Sequence, residues 1–190
     1  MITLEEIKKQ IEICRKCDLW AKRNKPVVGE GPPTAKIMVV GLGPGYHENL
    51  QGRPFVGPAG KLLDKLLALV GLKRDEIYIT NVIKCYLPDN TPTKDEIKAC
   101  GPYLDMQIEV IKPKVIIALG NVAIQYLFEK FGLKYYPISK IHGRIFAVDN
   151  LKYHLKLIPM YHPAAALRNP RLLETVQADW LKMKPYLDHL

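Results

Sequence analysis

The chain lacks several features that would place it in other classes of protein. It has no internal repeat, no low-complexity tract and no apolar run approaching the ~20 residues of a membrane span. Residues 1–10 form a charged segment that predicts a helix rather than a secretory signal. Cysteine is scarce, with four in 190 residues. We therefore expect a cytoplasmic protein without membrane contact. In the cytoplasm disulfides are rare, and clustered cysteines more often bind metal.

Acidic residues are also few. The 19 Asp and Glu residues stand against 28 Lys and Arg residues, which gives a net charge of +9. Such a balance favours a polyanionic partner, most simply a nucleic acid. A hydrophobic content of 48% is enough for a buried core, and the chain length suits one domain. We expect a single domain over residues 1–190.

Short apolar segments alternate with amphipathic ones along the chain. Strands are predicted at 36–40, 77–80, 114–119 and 155–160, with a hairpin arm at 144–148. Helices are predicted at 3–14, 60–69, 95–110, 121–131 and 172–186. This alternation predicts an α/β fold, a three-layer α/β/α sandwich. Ligands bind such sheets at the carboxyl ends of the strands, where four loops meet: 41–55, 81–88, 120–121 and 161–170.

The four cysteines stand as a Cys14-x2-Cys17 pair followed by Cys85 and Cys100. If all four bind one metal centre, two distant parts of the chain meet there. Cys-x2-Cys most often means structural zinc, but zinc sites usually have two such pairs. Cys85 and Cys100 are instead separated by 14 residues. The residues alone leave zinc and an iron–sulfur cluster open.

The loop after the first strand, Gly41-Leu-Gly-Pro-Gly45, holds three glycines in five residues. Glycine permits close approaches that a Cβ forbids, so a ligand can rest on the main chain there. A phosphate-binding loop is the simple alternative, but its Lys-Ser/Thr ending is missing. The same stretch continues through Glu48 to Gly52-Arg-Pro-Phe-Val-Gly57.

Four segments carry a resemblance to a known family: the cysteine spacing, Gly52-Arg-Pro-Phe-Val-Gly-Pro-Ala-Gly60, Thr80-Asn-Val-Ile-Lys-Cys85, and His162-Pro-Ala-Ala-Ala-Leu-Arg-Asn-Pro170. On these residues the chain resembles the iron–sulfur uracil-DNA glycosylases, the family 4 type of thermophilic bacteria and archaea. The resemblance implies a central four-stranded parallel sheet with helices on both faces. It also implies a DNA-repair hydrolase that flips uracil out of double- or single-stranded DNA, cleaves its N-glycosidic bond and leaves an abasic site.

The resemblance further implies roles for residues of the base-binding site. Phe55 stacks on the base, Asn81 reads its edge through N3–H and O4, and His162 stabilises negative charge on O2 of the leaving uracil. The catalytic candidates are His162, Gly43 and Glu48, and the substrate-binding candidates are Gly41, Leu42, Pro44, Gly45, Phe55 and Asn81.

For DNA and metal, the resemblance implies a second set of residues. Residues 163–170 resemble the segment that enters the minor groove, with Leu167 as the candidate wedge at the vacated base position. The DNA-binding candidates are Arg53, Ala166, Leu167 and Arg168, with Lys84, Arg144 and Arg171 as further phosphate contacts. A structural 4Fe–4S cluster is implied on Cys14, Cys17, Cys85 and Cys100. We expect a monomer, with a sliding clamp or other repair proteins as partners.

One residue departs from the family pattern. Leu42 stands where family 4 members commonly have a glutamate that is linked to the attacking water. Leucine accepts no hydrogen bond, and Gly-Leu-Gly-Pro resembles the related family 5 enzymes, which accept more deaminated bases. Three alternatives therefore stay open: a broader deaminated-base glycosylase, a catalytically weak protein that binds uracil-containing DNA, and a domain whose iron–sulfur centre serves electron transfer or regulation.

Overall fold

A five-stranded sheet lies at the centre of the computed structural model, which describes residues 1–190. Its strands are β1 (Ile37–Gly41), β2 (Tyr78–Asn81), β3 (Val115–Leu119), β4 (Phe146–Asp149) and β5 (His154–Met160). The helices are α1 (Leu4–Glu12), α2 (Tyr46–Gln51), α3 (Pro58–Leu69), α4 (Lys94–Ile111), α5 (Asn121–Lys130), α6 (Ile138–Ile141), α7 (Pro163–Arg168) and α8 (Leu172–Leu187). None of them combines the length and apolar composition needed to cross a membrane.

The sheet has the order β2-β1-β3-β5-β4. Its first four strands are parallel, which confirms the predicted parallel sheet, and β4 adds a fifth, antiparallel strand at the edge. The resemblance implies four strands, and the fifth, β4, is the hairpin arm predicted at 144–148. The difference has a physical reason, because β1, β2 and β3 are buried at every residue, whereas β4 is buried only at Val148.

Hydrophobic residues on the two faces of the sheet pack into separate cores. Along β1, Met38 and Val40 face the core shared with α1, α4 and α5, whereas Ile37 and Val39 face the core shared with α3 and α8. This alternation follows from the two-residue period of a strand. Helices therefore cover both faces, and the predicted three-layer α/β/α architecture is confirmed.

The N-terminal helix is shorter than predicted. A capping box of Thr3 and Glu6 starts α1. The helix ends at Glu12 rather than at Cys14, because the Arg23 guanidinium hydrogen-bonds the carbonyl oxygens of its last turn. Arg23 donates to the carbonyl oxygens of Ile11 at 3.2 Å and Glu12 at 2.6 Å. Cys14 is thereby placed in the turn that leads to Cys17.

The segment after β5 is helical, whereas a loop is predicted at 161–170. His162 is the N-cap of α7, and Pro163 occupies its first turn, where a proline needs no hydrogen-bonding N–H. Three alanines follow, and alanine has the best helix propensity. The signal for a helix was therefore present in the sequence.

Candidate active site

A cavity of about 460 Å³ opens at the carboxyl edge of the sheet, as predicted for this architecture. Of the predicted site residues, eight line it: Leu42, Gly43, Gly45, Glu48, Phe55, Asn81, His162 and Arg168. Further residues that the motifs do not single out also line it, among them Asn90, Asn121, Tyr161 and Leu172. Gly41 and Pro44 are buried next to this cavity, and Arg53, Ala166 and Leu167 do not line it.

The Phe55 ring is held at the cavity by a strained main chain. Its φ is +51°, which is uncommon for a residue with a side chain. Arg74 stabilises this turn by donating to the carbonyl oxygens of Phe55 at 2.9 Å and Pro54 at 2.7 Å. A Cβ on Gly60 would lie 1.9 Å from the Phe55 carbonyl oxygen, so only glycine allows this approach. The Phe55 and His162 rings stack with centroids 5.5 Å apart at 25°.

Asn81, the last residue of β2, carries a buried acceptor without a partner. The residue is 2% exposed, and its Oδ1 makes no hydrogen bond. A Cβ on Gly41 would lie 2.6 Å from this oxygen and 2.5 Å from Cζ of Phe55. Gly41 therefore provides the space in which Asn81 and Phe55 meet. Buried acceptors are nearly always satisfied, and no other group of the protein satisfies this one, so it can accept a hydrogen bond from a ligand N–H in the cavity.

His162 is positioned as a neutral hydrogen-bond donor. Its Nδ1 accepts from the main-chain N–H of Ala164 at 3.0 Å, which leaves the proton on Nε2. The pKa of His162 is lowered to about 4, mainly by burial and also by the positive charge of Arg168, while the negative charge of Glu48 acts in the opposite direction. The imidazole is therefore uncharged at neutral pH and can donate from Nε2.

The Glu48 carboxylate connects the main chain just before α2 to the main chain just before α3. Its Oε1 accepts from the amide of Gly45 at 3.0 Å, and its Oε2 accepts from the amides of Val56 at 2.9 Å and Gly57 at 2.7 Å. A carboxylate offers about four acceptor positions. Three of them hold the loop, and one on Oε1 is left.

The predicted DNA contacts lie in different surroundings. Leu167 is 48% exposed, and Arg168 is exposed at the cavity. Arg53 forms a bidentate ion pair with Glu30, with both distances 3.0 Å. Ala166 is buried in the core between α3 and α8, so direct contact between its side chain and DNA is not compatible with its position.

Lys84 is in the interior, which corrects its assignment as a phosphate contact. It is 1% exposed, and its Nζ donates to Thr80 Oγ1 at 2.6 Å, to the Asn81 carbonyl oxygen at 2.6 Å and to Gln107 Oε1 at 2.8 Å. Burial lowers the pKa of Lys84 to about 7. A lone lysine within the apolar stretch Val82–Leu87 was the only sequence signal for this burial.

The four cysteines line one small cavity between α1, the end of β2 and α4. N–H groups point at two of the sulfurs: Arg23 Nη1 donates to Cys85 Sγ at 3.4 Å, and the Lys84 amide donates to Cys100 Sγ at 3.2 Å. No three of the thiols converge closely enough to hold a single metal ion. Four sulfurs with N–H donors fit the ligand set of an iron–sulfur cluster.

Burial also affects the thiols themselves. It raises the pKa of Cys100 to about 12 and raises the pKa values of Cys17 and Cys85. A metal centre held by these sulfurs would bind them as thiolates, so its binding would release protons.

An aromatic ring, a side-chain amide and a neutral imidazole around one cavity are typical of enzymes that bind a planar heterocyclic base. The family model of the uracil DNA glycosylase superfamily matches residues 28–187. The chain belongs to this superfamily.

Named relatives narrow the comparison. The chain is 46% identical over 186 residues to a type-4 uracil-DNA glycosylase of Sulfurisphaera tokodaii, covering 97% of this chain and 84% of the relative. It is 45% identical over 184 residues to the type-4 enzyme of Archaeoglobus fulgidus, covering 96% and 92%. With a type-5 uracil-DNA glycosylase of Thermus thermophilus it shares 32% over 158 residues, covering 75% and 69%. The resemblance to the family 4 type is therefore confirmed.

We predict that His162 makes stability depend on pH. Its pKa falls from 6.5 in the unfolded chain to about 4 in the folded protein. Between these values the unfolded state binds more protons, so the contribution of His162 is complete above pH ~6.5 and is lost as the pH falls through about 4. The maximum loss is about 3 kcal/mol.

Denaturant titrations of wild type and His162→Gln from pH 4 to 8 measure this contribution. The stability difference between the two should shrink by about 3 kcal/mol towards pH 4. His189→Gln, at an exposed histidine near the C-terminus, is the matched control. A wild-type advantage that stays constant over this range contradicts the prediction.

A second prediction concerns the approach of Gly60 to Phe55. Gly60→Ala should cost about 3 kcal/mol, at the upper end of the usual overpacking range, because the new Cβ overlaps a main-chain carbonyl that cannot move without displacing Phe55. Ala68→Gly, at an exposed position of the same helix, should cost only about 1 kcal/mol through helix propensity. Denaturant unfolding measures both variants. A Gly60→Ala protein as stable as wild type would show that the contact is not fixed.

Proposed function

We propose that the protein is a monofunctional DNA glycosylase that removes uracil from DNA and leaves an abasic site. The observation that carries this proposal is the unpartnered Oδ1 of Asn81, buried in the cavity that Phe55 and His162 also line. The relatives named type-4 uracil-DNA glycosylases support uracil as the base. Their higher identity compared with the type-5 relative favours uracil over a broader range of deaminated bases.

Recognition follows from the chemistry of the Asn81 amide. An extruded uracil stacks on the Phe55 ring, its N3–H donates to Asn81 Oδ1, and its O4 accepts from Asn81 Nδ2. Cytosine has an acceptor at N3 and an amino group at C4. It would leave the buried Oδ1 facing a lone pair, which costs the hydrogen bond and the desolvation of both atoms.

Bond cleavage leaves negative charge on the base. As the bond between C1′ of the sugar and N1 of uracil breaks, the electron pair goes to the base and collects largely at O2. The Nε2–H of neutral His162 donates a hydrogen bond to this oxygen, while the sugar becomes oxocarbenium-like. One donor aimed at developing charge in a dry site is typically worth about 10²–10³ in rate.

The attacking water requires an acceptor that Leu42 does not supply. The fourth acceptor position of the Glu48 carboxylate is the group that we assign to this task, together with main-chain carbonyls of the loop 41–45. Three loop amides fix the carboxylate, so it needs no reorganisation when the water attacks C1′. Glu48 thus has a structural and a catalytic role in the same loop.

We further propose that Cys14, Cys17, Cys85 and Cys100 hold a 4Fe–4S cluster. The cluster would be structural there, because it would tie the turn after α1 to the loop after β2 and to α4. Arg23 and the Lys84 amide donate to two of the sulfurs. A cytoplasmic location, a monomeric state and interaction with a sliding clamp or other repair proteins stay predictions.

The proposed activity is tested with an oligonucleotide that contains uracil, followed by cleavage with alkali. Wild type should yield an alkali-labile site, and Asn81→Ala and His162→Ala should each lower single-turnover excision by about 10²–10³. His154→Gln changes an exposed histidine on β5, outside the cavity, and should keep the wild-type rate.

Parallel substrates with hypoxanthine or a thymine mismatch measure the range of bases. The account requires uracil to be excised fastest. Comparable excision of hypoxanthine would place the protein in the broader class, and binding without any excision would make it a uracil-DNA-binding protein.

The metal proposal is tested on freshly purified protein. We expect a brown protein that absorbs near ~400 nm, with about four iron and four sulfide per chain. Cys100→Ala should lose this absorbance and unfold at a lower temperature, because the metal stabilises the folded state. A colourless protein with stoichiometric zinc contradicts the cluster.

A further inference from the structure

We propose that Lys84 is a positioning residue for base recognition: its buried side chain holds the main chain of Asn81 so that the Asn81 amide meets the base in one orientation. This proposal rests on the proposed function, because it assigns to Asn81 the reading of the uracil edge. It gives Lys84 no contact with DNA or with the reacting atoms.

The geometry around Nζ is complete. The ammonium group has three N–H donors, and three acceptors surround it: Thr80 Oγ1 at 2.6 Å, the Asn81 carbonyl oxygen at 2.6 Å and Gln107 Oε1 at 2.8 Å. All three acceptors are neutral, so none is a salt-bridge partner. The hydrogen bond from Nζ to the Asn81 carbonyl oxygen is as short as the one to Thr80 and shorter than the one to Gln107.

The other two acceptors fix the lysine to the rest of the molecule. Gln107 lies on α4, and its Nε2 donates to the Val28 carbonyl oxygen at 2.8 Å and to the Tyr78 hydroxyl at 3.2 Å. Thr80 Oγ1 donates to the same Val28 carbonyl at 2.8 Å. Lys84 therefore links the end of β2 to a helix and to the segment that enters the sheet.

Asn81 needs such a support because its own side chain supplies none. Its Oδ1 has no hydrogen-bond partner, so only the main chain and packing orient the amide before a base arrives. Asn81 is also the last residue of β2, where the regular ladder ends. A displacement of the amide by about 1 Å would lengthen the hydrogen bond to N3–H, and displacements of that size cost about 10² in rate.

The cost of burying Lys84 argues for a functional reason. A fully buried ammonium loses its hydration, and an apolar side chain of the same length would fill the space without that loss. Of the three acceptors of Nζ, only the Asn81 carbonyl oxygen belongs to a residue that lines the active-site cavity.

The test is a double-mutant cycle with Lys84→Met and Asn81→Ala, read as single-turnover excision of uracil. Lys84→Met should slow excision about tenfold to a hundredfold in the wild-type background. In the Asn81→Ala background the same change should alter the rate by less than about twofold, because the amide that it positions is already gone. A merely structural role predicts equal effects in both backgrounds.

Two matched variants keep the test interpretable. Tyr78→Phe removes a hydroxyl from the same buried network without contact to Lys84, and it should leave excision unchanged. If Lys84→Met does not fold, Gln107→Leu replaces it, since it removes one acceptor of Nζ and Gln107 makes no hydrogen bond with Asn81 itself. Absorbance near ~400 nm checks that the variants keep equal metal content.

Equal effects in both backgrounds, or a wild-type rate for Lys84→Met, overturn the proposal. Absence of excision by wild-type protein is a different result, because it refutes the proposed function. In that case the same cycle is read as the affinity for free uracil. A loss on Lys84→Met that disappears in the Asn81→Ala background supports the role of Lys84, and any other outcome rejects it.

Discussion

The site depends on one buried oxygen, Asn81 Oδ1, that no other group of the protein hydrogen-bonds. Leaving an acceptor such as Asn81 Oδ1 unsatisfied costs about 1–3 kcal/mol, which the rest of the fold must offset. Gly41 leaves room for the amide, and Lys84 holds its main chain. An N–H group in the cavity removes this cost. A base with a donor at N3 therefore gains this free energy when it binds, whereas a base without such a donor does not.

The remaining groups are arranged before the base arrives. The Glu48 carboxylate accepts from the amides of Gly45, Val56 and Gly57. Arg74 fixes the strained turn at Phe55, and the N-terminus of α7 fixes the tautomer of His162. Each contact fixes a catalytic or binding group before the base arrives, so that the group does not have to be ordered during the reaction. Such preorganisation is the main source of electrostatic stabilisation in a dry site.

Much of this arrangement could be predicted from the sequence, and the exceptions have physical reasons. Four parallel strands were predictable because buried strands are continuously apolar, and their carboxyl ends place Asn81 and His162 at one edge. The contacts of Lys84 were not, because a lysine is normally exposed and its burial depends on Gln107, a residue of another helix. The end of α1 could not be predicted for a similar reason, since it depends on hydrogen bonds from Arg23, a residue outside the helix, to its last carbonyl oxygens. The helix α7 could have been predicted from Pro163 and the alanines after it.

The most direct test of the account is a crystal structure of the protein with free uracil. The account predicts that uracil lies against the Phe55 ring, with N3 within about 2.7–3.2 Å of Asn81 Oδ1 and with O2 facing Nε2 of His162. Uracil bound elsewhere, or bound in this cavity with N3 turned away from Asn81, would contradict it.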